Sequence, residues 1–256
     1  MLRRLVTLAI AVLMFSPLGR AQNARPAPAP APRHDISGIW DPANGPGDGI
    51  GGTGSKAMPE DGKPEHQLPY TALGLQKLNA SKPGNGARMV QPGEINDPAV
   101  VLCDPQGLPR EDLYELRTTQ ILQTPVSVII LYEFDKIWRV IWTDGRELDK
   151  DPPEPRWFGY SVGKWEGDTL VVHSLGYRDD QTLDLQGSPL TNAAKVTERF
   201  SRPVFGKLEI EVTIDDPKAY TQPFTVLVKE DLAPDTDLLD APCTDNEKDL
   251  PHLPDN

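Results

Sequence analysis

The chain has 256 residues, and 38 acidic side chains against 26 basic ones give it a formal net charge of −12. That surplus repels phosphate backbones and anionic headgroups. It argues against nucleic acid and membrane surfaces as partners and suits a soluble protein with a neutral or cationic ligand. None of the four histidines stands at HxH, HxxxH or HExxH spacing, and no cofactor motif has its strand–turn–helix setting, so neither metal nor cofactor is expected.

The N-terminus reads as a targeting segment. Leu2, Arg3 and Arg4 make a basic start, residues 5–18 are apolar apart from Thr7, Ser16 and Pro17, and Gly19 and Ala21 put small residues where a signal peptidase reads. The apolar run falls short of the about 20 residues that a membrane span needs. Residues 1–21 are therefore expected to be a cleaved signal peptide, which places the mature chain in the periplasm or outside the cell without membrane insertion. The Pro/Ala alternation of residues 25–33 favours an extended spacer, so 22–34 reads as a linker and 35–256 as a single domain.

Residues 36–40 read as a short strand, followed by a glycine-rich loop to Gly54. Leu73, Leu75 and Leu78 among good helix formers, stopped by Pro83 and Gly84, predict a short helix within 69–80. Three prolines make 97–110 an ordered loop. From Thr118 the pattern changes. Residues 118–124, 126–134 and 136–143 are rich in Ile, Val, Trp and Tyr, with Asp144 and Gly145 as a turn signal. Residues 157–174 read as a hairpin whose second strand puts Thr169, Val171 and His173 on one face and Leu170, Val172 and Ser174 on the other. Residues 178–194 carry no pattern and read as a lid or an unstructured insert. Strands follow at 195–201, 207–214 and 224–230. In the second of these, Leu208, Ile210, Val212 and Ile214 alternate with polar residues, as in a half-buried antiparallel strand. The spacing predicts a mainly β domain, an antiparallel β-barrel or strongly curved sheet with one or two short helices in its N-terminal half.

Only two cysteines are present, Cys103 and Cys243, and in an exported chain that count favours one disulfide, with two buried thiols as the alternative. Gly159, Ser161 and Gly163 spell G-x-S-x-G, with Asp168 and His173 in the order of a hydrolase triad. The string runs into another strand and not into a helix, so a glycine-containing strand is the stronger reading. Gly47, Gly49 and Gly52 spell a dinucleotide-like string with neither strand nor helix around it. Asp215 and Asp216 with the acidic tail lack the spacing of a calcium loop.

Among groups able to move protons, His173 is the best candidate, with Tyr132 and Tyr160 as donors and Arg139 or Arg146 as an anion holder. Glu133 and Glu198 either share that cavity or form structural ion pairs with Arg139 and Arg199. Trp138, Trp142, Trp157 and Trp165 read as core first and as a ligand platform second.

Several stretches carry a resemblance: Cys103-Asp-Pro-Gln-Gly-Leu-Pro-Arg110, Ile130-Leu-Tyr-Glu133, Thr143-Asp-Gly-Arg146, the block from Trp157 to Val172, Val196-Thr-Glu-Arg-Phe200, and the segments beginning at Thr213 and Cys243. Across most of 35–256 the chain resembles a large family of exported bacterial proteins of uncharacterised function. The resemblance implies a signal peptide and a β-rich domain, and it brings no established chemistry. Family-like sequences carry His, Asp and His where this chain has Tyr160, His173 and Leu190, which leans toward a differing ligand or activity. Gly38-Ile-Trp40 is similar to the Gly-x-Trp opening of lipocalin-like barrels.

Two functions from different classes follow. One is a barrel with a tryptophan-lined interior that binds a small apolar or aromatic molecule through Trp138, Trp142, Trp157, Glu133, Arg146 and Glu198. The other is a cofactor-independent lyase, isomerase or hydrolase with His173 as acid and base. A structural envelope protein would show no pocket.

Overall fold

The computed structural model describes residues 30–43, 68–84, 88–113 and 118–240. The expected signal peptide, most of the linker, the glycine string at 47–52, His66, His252, Cys243 and the acidic tail past Asp240 lie outside the described residues.

Nine strands close into a barrel in the order β1-β11-β10-β9-β6-β5-β4-β3-β2. These are β1 (Gly38–Pro42), β2 (Thr119–Gln123), β3 (Ser127–Tyr132), β4 (Trp138–Trp142), β5 (Tyr160–Glu166), β6 (Thr169–Leu175), β9 (Lys195–Val204), β10 (Lys207–Asp215) and β11 (Phe224–Leu232). The mainly β expectation holds. The alternation that predicted β10 buries Leu208, Ile210, Val212 and Ile214 against the interior. Short β1 closes the cylinder by pairing with β11 on one side and β2 on the other, which brings fully buried Trp40 into the core.

One junction departs from an all-antiparallel barrel. β4 and β5 run parallel and share only the pairs Ile141↔Ser161 and Trp142↔Val162. A hairpin of a few residues forces antiparallel strands, whereas the long connection 143–159 lets the chain return and enter β5 in the direction of β4.

The tryptophans of β4 also face the other way from the expected Trp-lined interior. Arg139 and Ile141 are buried, so period-two alternation turns Trp138, which is 63% exposed, and Trp142 outward.

Residues 178–194 form neither an unstructured insert nor a free lid. The hairpin of β7 (Gln181–Thr182) and β8 (Pro189–Leu190) is fixed by two buried carboxylates. Asp184 accepts from the backbone of Gln186 and Ser188 and from the Ser188 hydroxyl, and Asp216 accepts from the Thr191 amide and hydroxyl. Leu183 and Leu190 are buried with them.

Helix α1 (Ala72–Ala80) is capped by Thr71, whose hydroxyl accepts from the Gly74 amide. Its contact residue is Gly74, where an added Cβ would lie 2.1 Å from the Ala219 carbonyl, while Leu73 and Leu75 stay exposed. Two short helices, α2 (Pro98–Val101) and α3 (Arg110–Leu113), belong to the segment that plugs the barrel.

Candidate functional site

Because β4 and β5 touch over two residue pairs and then splay apart, a cleft of about 620 Å³ opens at their junction. Its walls are aromatic: Trp138 and Trp142 from β4, Trp157 and Phe158 from the approach to β5, and Tyr160 from β5 itself. Arg139 and Ser161 also line it, with Arg146, Glu147, Asp149 and Arg156 along the 143–159 connection. Guanidinium groups lie over three of the rings. Arg146 sits 3.8 Å from the Trp142 centroid, Arg156 4.2 Å from Tyr160 and Arg178 4.3 Å from Trp157. Such stacking is electrostatically favourable, and each guanidinium covers one face of its ring. Arg146 is also forked onto Asp144, which holds that carboxyl below its ordinary range through the side-chain hydrogen bond.

Behind the cleft lies a buried acid cluster, delivered by the plug. Gly107 has φ +73°, and a Cβ there would meet the Trp157 carbonyl at 2.5 Å. This close approach lets the Leu108 amide donate to that carbonyl at 3.0 Å, alongside Gln181 Nε2 at 2.7 Å. Arg110 is anchored by a two-pronged pair with Asp97 and a 2.7 Å bond to Thr182. So placed, α3 carries Asp112 into the barrel, where it accepts from the Tyr132 hydroxyl at 2.9 Å.

Arg139 crosses the interior from β4 and donates to both oxygens of Glu198 on β9, at 2.9 and 2.6 Å, with Asp112 Oδ2 3.8 Å from its Nη2. Phe158 stands between cleft and cluster, its ring stacked on Tyr132 at 5.9 Å. Asp112 Oδ2, Arg139 Nε and Glu230 Oε2 are buried there without a hydrogen-bond partner.

Two buried carboxyls, Asp112 and Glu198, thus face Arg139, and buried Glu230 feels the charge of Asp112. Burial, opposed by Arg139 and reinforced by Asp112, pushes Glu198 up to about 7. Burial, with Asp112 and Asp41 adding to it, pushes Glu230 up to about 8. Burial also drives the Tyr132 and Tyr177 hydroxyls well up. For Arg139, burial works against the charge, but Glu198, Tyr132 and Asp112 outweigh it and keep the guanidinium protonated.

Of the residues singled out from the sequence, Trp138, Trp142, Trp157, Arg139, Arg146 and Tyr160 meet at the cleft. Tyr132 and Glu198 lie one layer deeper. Glu133 does not join them; it is buried at the end of β3 and accepts from the Leu239 amide at 2.9 Å. Nor does it pair with Arg139, which takes Glu198, while Arg199 faces outward near Glu166 and Glu211.

His173 requires the main correction. It lies on the outer, exposed face of β6, bonded to Thr197 Oγ1 at 3.2 Å, because Leu170, Val172 and Ser174 take the inward positions. It therefore shares no cavity with Tyr132 or Arg139. Ser161 points inward to Ser174 at 2.7 Å, on the opposite face of the sheet from His173, so G-x-S-x-G builds a strand and no triad. Asp112, Phe158, Arg156 and Glu230 were missed. Glu198 and Glu230 had a signal, an ionisable residue at an apolar-phase position of an alternating strand. Asp112 reaches the barrel through long-range docking of the plug and had none.

Among the described residues no group of three or more His, Cys, Asp or Glu is placed to hold a metal ion. No protein-family model, curated protein or solved structure matches the chain.

Proposed function

We propose that this chain is a binding protein for a small apolar or aromatic molecule, held in the cleft between β4 and β5. The observation that carries the reading is the gathering of Trp138, Trp142, Trp157, Phe158 and Tyr160 around one concavity of about 620 Å³. Small-molecule sites fall at roughly 300–1,000 Å³ and combine apolar walls with a few polar groups. A barrel suits the task in general, since its hydrogen-bonded strands hold one wall rigid while a connecting loop supplies the other.

Export by a signal peptide cleaved after Ala21 and a Cys103–Cys243 disulfide belong to the same reading. The apolar N-terminus and the count of two cysteines support them, as does the resemblance to exported bacterial proteins. The competing reading, acid–base catalysis by His173, loses support because that residue is exposed away from the cleft.

Titrating the mature domain with neutral two-ring aromatics and following tryptophan fluorescence tests the proposal. Saturable quenching is expected, weakened at least about tenfold in Trp142→Ala with an unchanged melting temperature. Equal affinity in wild type, Trp142→Ala and Trp157→Ala would overturn the cleft as the site.

A further inference from the structure

We propose that the cleft takes an aromatic monocarboxylate, its flat body among the tryptophans and its carboxylate on the guanidinium of Arg156. This rests on the cleft being the binding site. The cleft lies on the outer face of the sheet. Trp138, Val140 and Trp142 occupy the phase of β4 opposite buried Arg139 and Ile141, and Tyr160 and Val162 take the phase of β5 opposite buried Ser161. Exposed Arg156 lines the same cleft, its guanidinium 4.2 Å from the Tyr160 centroid. Its backbone is held on both sides: the amide donates to the Gly176 carbonyl at 2.9 Å, and the carbonyl accepts from the Gly159 amide at 3.2 Å. The Tyr160 hydroxyl donates to the Glu154 carbonyl at 3.0 Å, which fixes the ring that the guanidinium covers.

Three guanidiniums stand over aromatic residues of the cleft, and two of them have their forks closed. Arg146 is paired with Asp144 and Arg178 with Asp180, each at 2.6 Å. Arg156 alone of the three has neither a carboxylate nor a hydrogen-bond acceptor for its side chain among the described residues. All donors of a guanidinium lie in its plane, so a group lying over a ring keeps its edge free for a pair of oxygens. A carboxylate matches that edge with two parallel bonds. A cationic ligand would instead meet Arg146 and Arg156 as like charges. The acid surplus of the whole chain acts weakly here, because exposed charges farther away than about 8 Å are screened at physiological salt. Glu147 and Asp149 share the lining and oppose a second negative charge, which limits the ligand to one carboxylate.

Three matched probes separate the possibilities on the intact mature protein: 1-naphthoate, the neutral 1-naphthamide and the cationic 1-naphthylmethylammonium. The carboxylate should bind about tenfold or more tightly than the amide of the same shape, and the margin should shrink as salt is raised. Arg156 is exposed, so Arg156→Gln should melt with wild type; it should bring the carboxylate within about twofold of the amide. Arg156→Lys keeps the charge and loses the planar fork, so it should restore only part of the margin. Equal wild-type affinities for carboxylate and amide, or a margin that survives Arg156→Gln, would overturn the role of Arg156 while leaving the cleft as the site. Preference for the ammonium probe would overturn the anionic ligand class. Failure of all three to bind would overturn the binding reading itself.

Discussion

Replacing Glu230 by Gln should change how stability depends on pH. Glu230 points into the barrel from β11, 3% exposed, with one oxygen lacking a partner. Burial first, then Asp112 and Asp41, raise its carboxyl from an ordinary 4.5 to about 8, against a weaker opposing bond from Thr119. An acid raised in the folded state keeps a proton that the unfolded chain has already released. Its contribution is therefore fully present below the unfolded value and is lost as pH climbs toward the folded one. At about 1.4 kcal/mol per pH unit, the loss across that window is on the order of 4 kcal/mol. Gln keeps the shape and never ionises, so the variant lacks this slope. Glu198, also raised, contributes a slope of the same sign to both proteins and cancels in the difference. Urea unfolding of wild type and Glu230→Gln at pH 5 and pH 8 measures it. The advantage of the variant should grow by about 2–4 kcal/mol between the two conditions. Parallel behaviour at both pH values would refute the placement of an ionisable group in the barrel.

Other perturbations probe the plug, the outer face and the proposed covalent link. Gly107→Ala should cost about 2–4 kcal/mol by urea unfolding, since the backbone is left-handed there and the new Cβ meets the Trp157 carbonyl at 2.5 Å; a cost below about 0.5 kcal/mol would contradict the docking of the plug. His173→Ala should leave melting temperature and aromatic-probe affinity unchanged, because the ring is exposed and bonded only to Thr197; a tenfold loss of affinity would return it to the site. A peptide map of the exported protein without reductant should join the peptides containing Cys103 and Cys243. Reduction should then destabilise by on the order of 4 kcal/mol in the chain-entropy account of a long loop. Two separately alkylated cysteines would reject the link.

Much of the fold was legible because half-buried strands write their inward face in period two. β10 is the plainest case, and the β5–β6 hairpin follows from alternation on both sides of Gly167 and Asp168. The same rule, applied to Trp138-Arg-Val-Ile-Trp142, could have turned the tryptophans outward. Placing these tryptophans in the interior, as core or as ligand platform, overlooks that Arg139 shares the phase of Ile141. Val196, Glu198 and Phe200, or Val226, Val228 and Glu230, hold acids in an apolar phase in the same way. The parallel junction was illegible because local pattern does not state strand direction. The order of residues 178–194 depends on Asp184 and Asp216 finding amides within that hairpin, a contact no window of residues displays.

The most direct test of the account is a crystal structure of the mature protein with 1-acetylnaphthalene bound. The rings should lie between the splayed strands β4 and β5, against Trp142 and Trp157. A ligand seated elsewhere, for instance on the outer face beside His173, would contradict it.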